Sequence, residues 1–126
     1  MGRMQRTFLK SKIHGARVTQ ADLNYIGSIT IDVALLEAVD LWPNEKVLVV
    51  NLENGERLET YVFEGERASG VIGMNGGCAR ACQVGDRLLI MAFASMTEAE
   101  ARQHKPRVVF VGEGNTVEQV LGEPQR

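Results

Sequence analysis

The chain has 126 residues, 44% of them hydrophobic and 24% charged, which suits one soluble globular domain with a real core. Fourteen basic residues against sixteen acidic ones give a net charge of −2, which argues against a general nucleic-acid binder. No apolar run approaches membrane-spanning length, and the basic N-terminus lacks the apolar segment of a secretory signal, so the expected location is the cytoplasm, with no membrane partner.

Along the chain, the first stretch carries Arg3, Arg6, Lys10, Lys12 and Arg17 with no acid before Asp22. It reads as a solvated basic arm, or more sharply as a local anion site. Ile26 to Asp32 alternates like a strand with Ile26, Ile29 and Ile31 toward a core, although Gly27-Ser28 interrupts it. Asp32 is placed to cap a short helix in which Leu35, Leu36 and Val39 form the apolar stripe. Val47 to Leu52 is an apolar strand ending at Asn54-Gly55, a favoured hairpin dipeptide. Arg57 to Phe63 returns, with Arg57, Glu59, Tyr61 and Phe63 on one face and Leu58, Thr60 and Val62 on the other.

"GERASGVIGMNGGCA" predicts loop plus a short strand, with backbone placed close to something. A turn at Val84 to Asp86 leads into the buried strand "RLLIMAFA". Thr97 and Glu100 have capping-box spacing for a helix that must stop before Pro106. Arg107 to Val111 is a further strand, and the tail after Gly112 is polar and expected to fray at its end. The pattern is mainly β, a small barrel or sandwich with two minor helices.

Chemistry is harder to place from spacing alone. Cys78 and Cys82 match no common zinc pattern, and with only His14 and His104 to help, no metal site is expected. "GVIGMNGG" fits neither a phosphate loop nor a dinucleotide fingerprint. Ser28, His14 and Asp22 would assemble a triad only on paper.

Taken in order, "RTFLKSKIHGARVTQADLNYIGSITID", "NGERLETY", "GERASGVIGMNGGCA" and "VGDRLLIMAFA" resemble the successive blocks of the pyruvoyl-dependent aspartate 1-decarboxylases, without evident gaps from about Arg6 to Val111. The resemblance implies a six-stranded double-psi β-barrel with short helices, assembled as a homotetramer with sites between subunits. It implies one domain, 1–126, that cuts itself between Gly27 and Ser28 into a short chain, 1–27, and a longer one, 28–126.

The function so implied is decarboxylation of L-aspartate to β-alanine and CO2 for pantothenate synthesis. Its cofactor is a covalent pyruvoyl group derived from Ser28, which binds substrate as a Schiff base and serves as electron sink. A maturation helper protein is a further implied partner. The alternatives are an uncleaved binding module on the same barrel and decarboxylation of a related acid such as glutamate.

Roles carried over by position are Ser28 as pyruvoyl precursor, Tyr61 as proton donor and Thr60 in processing. Arg57, Lys12, Asn75, Gly76, Gly77, Cys78 and His14 fall to substrate binding or the pocket. Each has a plainer reading: solvated Arg57 and Lys12, a rim Tyr61, a β-branched strand residue at Thr60, and turn chemistry at Asn75-Gly76. Two departures stand out. Asn24 replaces a common histidine, and Gly77 and Cys78 replace two alanines.

Overall fold

The computed structural model describes residues 4–122, so the expected fraying of the last residues lies partly outside the described part. Nine strands form among the described residues: β1 Arg6–Arg17, β2 Gln20–Asp22, β3 Ser28–Asp32, β4 Lys46–Asn51, β5 Arg57–Gly65, β6 Ile72–Asn75, β7 Arg87–Met96, β8 Arg107–Val111 and β9 Val117–Leu121. Two short helices, α1 Val33–Val39 and α2 Glu98–Gln103, complete the regular structure with two 3₁₀ turns. The strands run in the order β2-β6-β3-β5-β4-β7-β1-β8-β9. Neighbours are mostly antiparallel, but β2 with β6, β3 with β5 and β1 with β8 are parallel. A mainly β barrel is thus what the chain builds, with more strands than the expected six.

One core holds the sheet together. Ile13 from β1, Ile29 and Ile31 from β3, Val47 and Val49 from β4, Val62 from β5, Leu88 and Ile90 from β7 and Val109 from β8 are all fully or almost fully buried. The period-2 alternation of each strand puts them on one face. Helix α1 closes the core with Leu35, Leu36 and Val39, and the Asp32 side chain accepts from the Ala34 N–H at 2.8 Å. A cap of this kind is worth about 1 kcal/mol. The capping box at α2 is present with both of its hydrogen bonds.

Three expectations are corrected. The basic segment is not an arm: Arg6–Arg17 is the longest strand, hydrogen-bonded between β7 and β8, with Ser11, Ile13 and Ala16 buried. Its outward lysines and His14 masked the alternation. Ile26 does not face the core but is 73% exposed, because β3 begins only at Ser28.

Ahead of the chain's last residues, the polar tail also forms β9, an edge strand the sequence did not single out, since its single partner is β8 and its mostly exposed side chains leave little signal. The Asn54-Gly55 turn is wider than a two-residue hairpin. Asn51 N–H donates to Glu56 O, Gly55 N–H donates to Asn51 O, and of the Asn54-Gly55 pair only Gly55 takes a positive φ. A type I′ turn needs both.

Candidate active site

The junction before β3 brings several named residues together. The chain turns at Leu23 to Gly27, all exposed, and enters the fold at Ser28, which is 1% exposed. Ser28 pairs with Asn75 across the antiparallel β3/β6 ladder. The Asn75 Nδ2 donates to Ser28 Oγ at 3.0 Å and also to Thr30 Oγ1 at 2.9 Å. Ser28 Oγ in turn donates to the Ile26 carbonyl at 3.3 Å. A buried serine hydroxyl beside an exposed bend is therefore fixed from both sides, in a fold where no buried side-chain polar atom among the described residues lacks a partner.

Gly27 itself has an ordinary φ and open space around its missing Cβ. The glycine that the geometry demands is Gly76. Its φ is +63°, and a Cβ there would lie 2.7 Å from the Gly27 Cα and 2.9 Å from the Tyr25 carbonyl oxygen. Only a residue without Cβ lets the 25–27 bend lie so close. The family resemblance assigned Gly76 to the pocket but gave no sign of this contact, which joins residues far apart in the chain.

Strand β5 runs parallel beside β3 with Ile29 opposite Val62. One step back along that register Tyr61 comes beside Ser28, the first residue of β3, while Gly27 lies outside the strand. Thr60 faces inward opposite Val47, while Tyr61 faces out with Arg57 and Phe63. The ring of Phe63 meets Tyr25 edge-on at 6.4 Å between centroids, tying the exposed bend to β5. The side chain that hydrogen-bonds Ser28 is Asn75, not Thr60. Beyond Asn75, the 3₁₀ turn Gly76–Arg80 carries exposed Gly77 and nearly buried Cys78. Cys82 just past it is a free thiol pushed up to about 11 by burial.

The remaining candidates are elsewhere. Arg57 is four residues from Tyr61, roughly 13 Å along the strand. Lys12 pairs with Met91, Met91 with Leu48, and Leu48 with Glu59. Lys12 therefore shares the outer face with Arg57 and Tyr61, but three strand spacings from β5, roughly 14 Å.

His14 lies two residues beyond Lys12 on the same face, packed against Phe110 with centroids 5.0 Å apart. Burial first, then Lys12 and Arg87, push its pKa down. Strands β5, β4 and β7 separate it from β3, so the paper triad with Ser28 and Asp22 does not form. No ion pair among the described residues uses Arg57 or Lys12. One chain thus offers two clusters, a buried hydroxyl centre at Ser28 and two outward cations some distance from it.

Asn24, at the position of the expected histidine, has its backbone N–H bonded to Asp22 Oδ1 at 2.9 Å and is exposed. A cavity of about 490 Å³ beside α2, lined by Met4, Thr97, Glu98, Ala99 and Arg102, holds none of the candidates. Among the described residues no cluster of three or more His, Cys, Asp or Glu is arranged to hold a metal ion, and no helix is long and apolar enough to cross a membrane.

Comparison with known proteins agrees with the sequence blocks. The family model described as aspartate decarboxylase matches residues 4–118. The aspartate 1-decarboxylase of Bacillus licheniformis is 54% identical over 124 residues, covering 98% of both chains. That of Listeria monocytogenes is 54% identical over 120 residues, covering 95% of this chain and 94% of its own. That of Carboxydothermus hydrogenoformans is 58% identical over 111 residues, covering 88% and 87%. With a family match across most of its length and relatives this similar end to end, the chain belongs to the aspartate decarboxylase family.

Proposed function

We propose that this protein decarboxylates L-aspartate to β-alanine and CO2, the step that feeds pantothenate synthesis, after cutting its own backbone between Gly27 and Ser28. The observation that carries the reading is the buried Ser28 hydroxyl, held by Asn75 at the point where an exposed glycine-containing bend enters a strand. The family relationship supplies the reaction, and the local geometry supplies a reason for each residue.

Self-cleavage needs a serine oxygen directed at the carbonyl carbon just before it. The Asn75 N–H holds one lone pair of Ser28 Oγ, and the Ile26 carbonyl takes its proton in the resting chain. Attack by Oγ on the Gly27 carbonyl carbon exchanges the Gly27–Ser28 amide for an ester and frees the Ser28 nitrogen. Loss of the Ser28 α-proton then expels the Gly27 carboxylate and leaves dehydroalanine. Water replaces its nitrogen, ammonia departs, and a pyruvoyl cap remains on Ile29. Thr60, next to Tyr61 on β5, is on family grounds the side chain that polarises that carbonyl.

The residues present fit such a group. Asn75 Nδ2 is a donor, which suits a carbonyl oxygen as well as a hydroxyl, and Ile29 behind it is fully buried. A pyruvoyl ketone supplies the electron sink that amino-acid decarboxylation requires and that no ordinary side chain provides. Tyr61, beside Ser28 on β5, suits the role of handing a proton to the substrate carbon, on family grounds. Arg57 and Lys12 suit the two negative ends of a dicarboxylate, Arg57 through its planar fork. His14, whose pKa is lowered by burial and then by Lys12 and Arg87, is less suited than Lys12 to hold a carboxylate.

Lys12 and Arg57 lie too far along the outer face to meet their own Ser28. That separation supports sites completed between subunits of a homotetramer. A cytoplasmic location and a helper protein for maturation belong to the same proposal, on family grounds. The test is β-alanine formation from L-aspartate by purified protein, against Ser28→Ala. Product from the parent and none from the variant is expected. Equal turnover by an uncut Ser28→Ala chain would overturn the reading, and no product from either would favour an uncleaved binding barrel.

A further inference from the structure

We infer that Thr30 is a positioning residue for self-cleavage, acting on Ser28 through Asn75; the inference rests on the self-cleavage reading above. A single nitrogen, Asn75 Nδ2, donates one hydrogen to Ser28 Oγ at 3.0 Å and the other to Thr30 Oγ1 at 2.9 Å. Residues 28 and 30 lie on the same face of β3, so one carboxamide spans the two hydroxyls. The bond to Thr30 fixes the amide's rotation. It gives the carboxamide a second anchor, so Asn75 cannot swing away from Ser28 about its side-chain torsions.

Thr30 is itself held in place. A Cβ at Gly65 would lie 3.1 Å from Thr30 Cγ2, and one at Gly73 would lie 3.4 Å from Thr30 Cβ. Two glycines on the flanking strands thus make the slot into which this branched side chain fits. A threonine has its χ1 restricted by two heavy atoms on Cβ, so the hydroxyl is presented to Asn75 with little freedom. Nothing in the β-propensity of a threonine at this position signals such a role.

The experiment follows the conversion of freshly purified, uncut chain by intact mass, for the parent, Thr30→Val, Thr30→Ala and Thr30→Ser, with thermal melts of each. Thr30→Val keeps the branched shape without the hydroxyl and should slow cleavage about tenfold, the effect of one lost orienting hydrogen bond. Thr30→Ser keeps the hydroxyl, loses the γ-methyl and should cut within about threefold of the parent rate. A merely structural role predicts the opposite order, since serine forfeits more packing. If valine fails to fold, alanine takes its place in the comparison. Cleavage of the folded hydroxyl-free variant at the parent rate, or serine no faster than it, would overturn the inference alone. A parent chain that never cuts would overturn the self-cleavage reading, and this inference with it.

Discussion

Gly76 and Gly27 are in backbone contact: a Cβ placed on Gly76 would sit 2.7 Å from the Gly27 Cα, at a φ of +63° that side chains rarely adopt. Gly76→Ala therefore pushes the 25–27 bend off the turn after β6 and strains its own backbone. The strain alone is about 1–3 kcal/mol. The variant should melt at a lower temperature and cut more slowly, while Gly77→Ala, with open space around Gly77, should do neither. Melting curves and intact-mass time courses of the two variants check this, and equal behaviour would refute it.

Arg57 is exposed on β5 and has no acidic partner among the described residues. Its removal should cost substrate binding, not folding. Arg57→Ala should still cut, melt near the parent temperature and lose roughly 10- to 100-fold in kcat/KM for aspartate, the scale of a lost charge-assisted pair. Steady-state kinetics on the cut protein read this directly. A variant that fails to cut would move Arg57 from substrate binding to processing.

His14 gives a pH signature. Its pKa is lowered from 6.5, by burial first and by Lys12 and Arg87 after that. The unfolded chain then takes up this proton at a higher pH than the folded one. Stability from this source is fully present above pH 6.5 and declines as the pH falls from there toward the lowered folded value. Melts of the parent and of His14→Gln across that window should show a shallower fall for the variant. Parallel curves would mean that His14 titrates alike in both states.

The fold was legible where local chemistry decides it. Asp32 with Leu35, Leu36 and Val39, and Thr97 with Glu100, announced both helices. Arg57 to Phe63 announced a two-faced strand. What escaped was set by partners distant in the chain. Polar residues on β1 are outward because β7 and β8 flank it, and β9 is a strand only because β8 offers an edge. Ile26 is exposed because the bend before Ser28 must leave the sheet.

At the site, Gly-Ser alone carries no instruction, and the family blocks singled out Ser28, Asn75 and Tyr61. The structure sets these side by side and shows why Gly76 must be glycine. It also brings in Thr30, which no spacing rule connects to Asn75.

The central claim is that this chain makes its own cofactor at Ser28, and intact mass of the purified protein under denaturing conditions tests it most directly. The account predicts two species, one matching residues 1–27 and one matching residues 28–126 with a pyruvoyl group in place of Ser28. A single full-length species that persists after prolonged warm incubation, in a protein that nonetheless forms β-alanine, would contradict it.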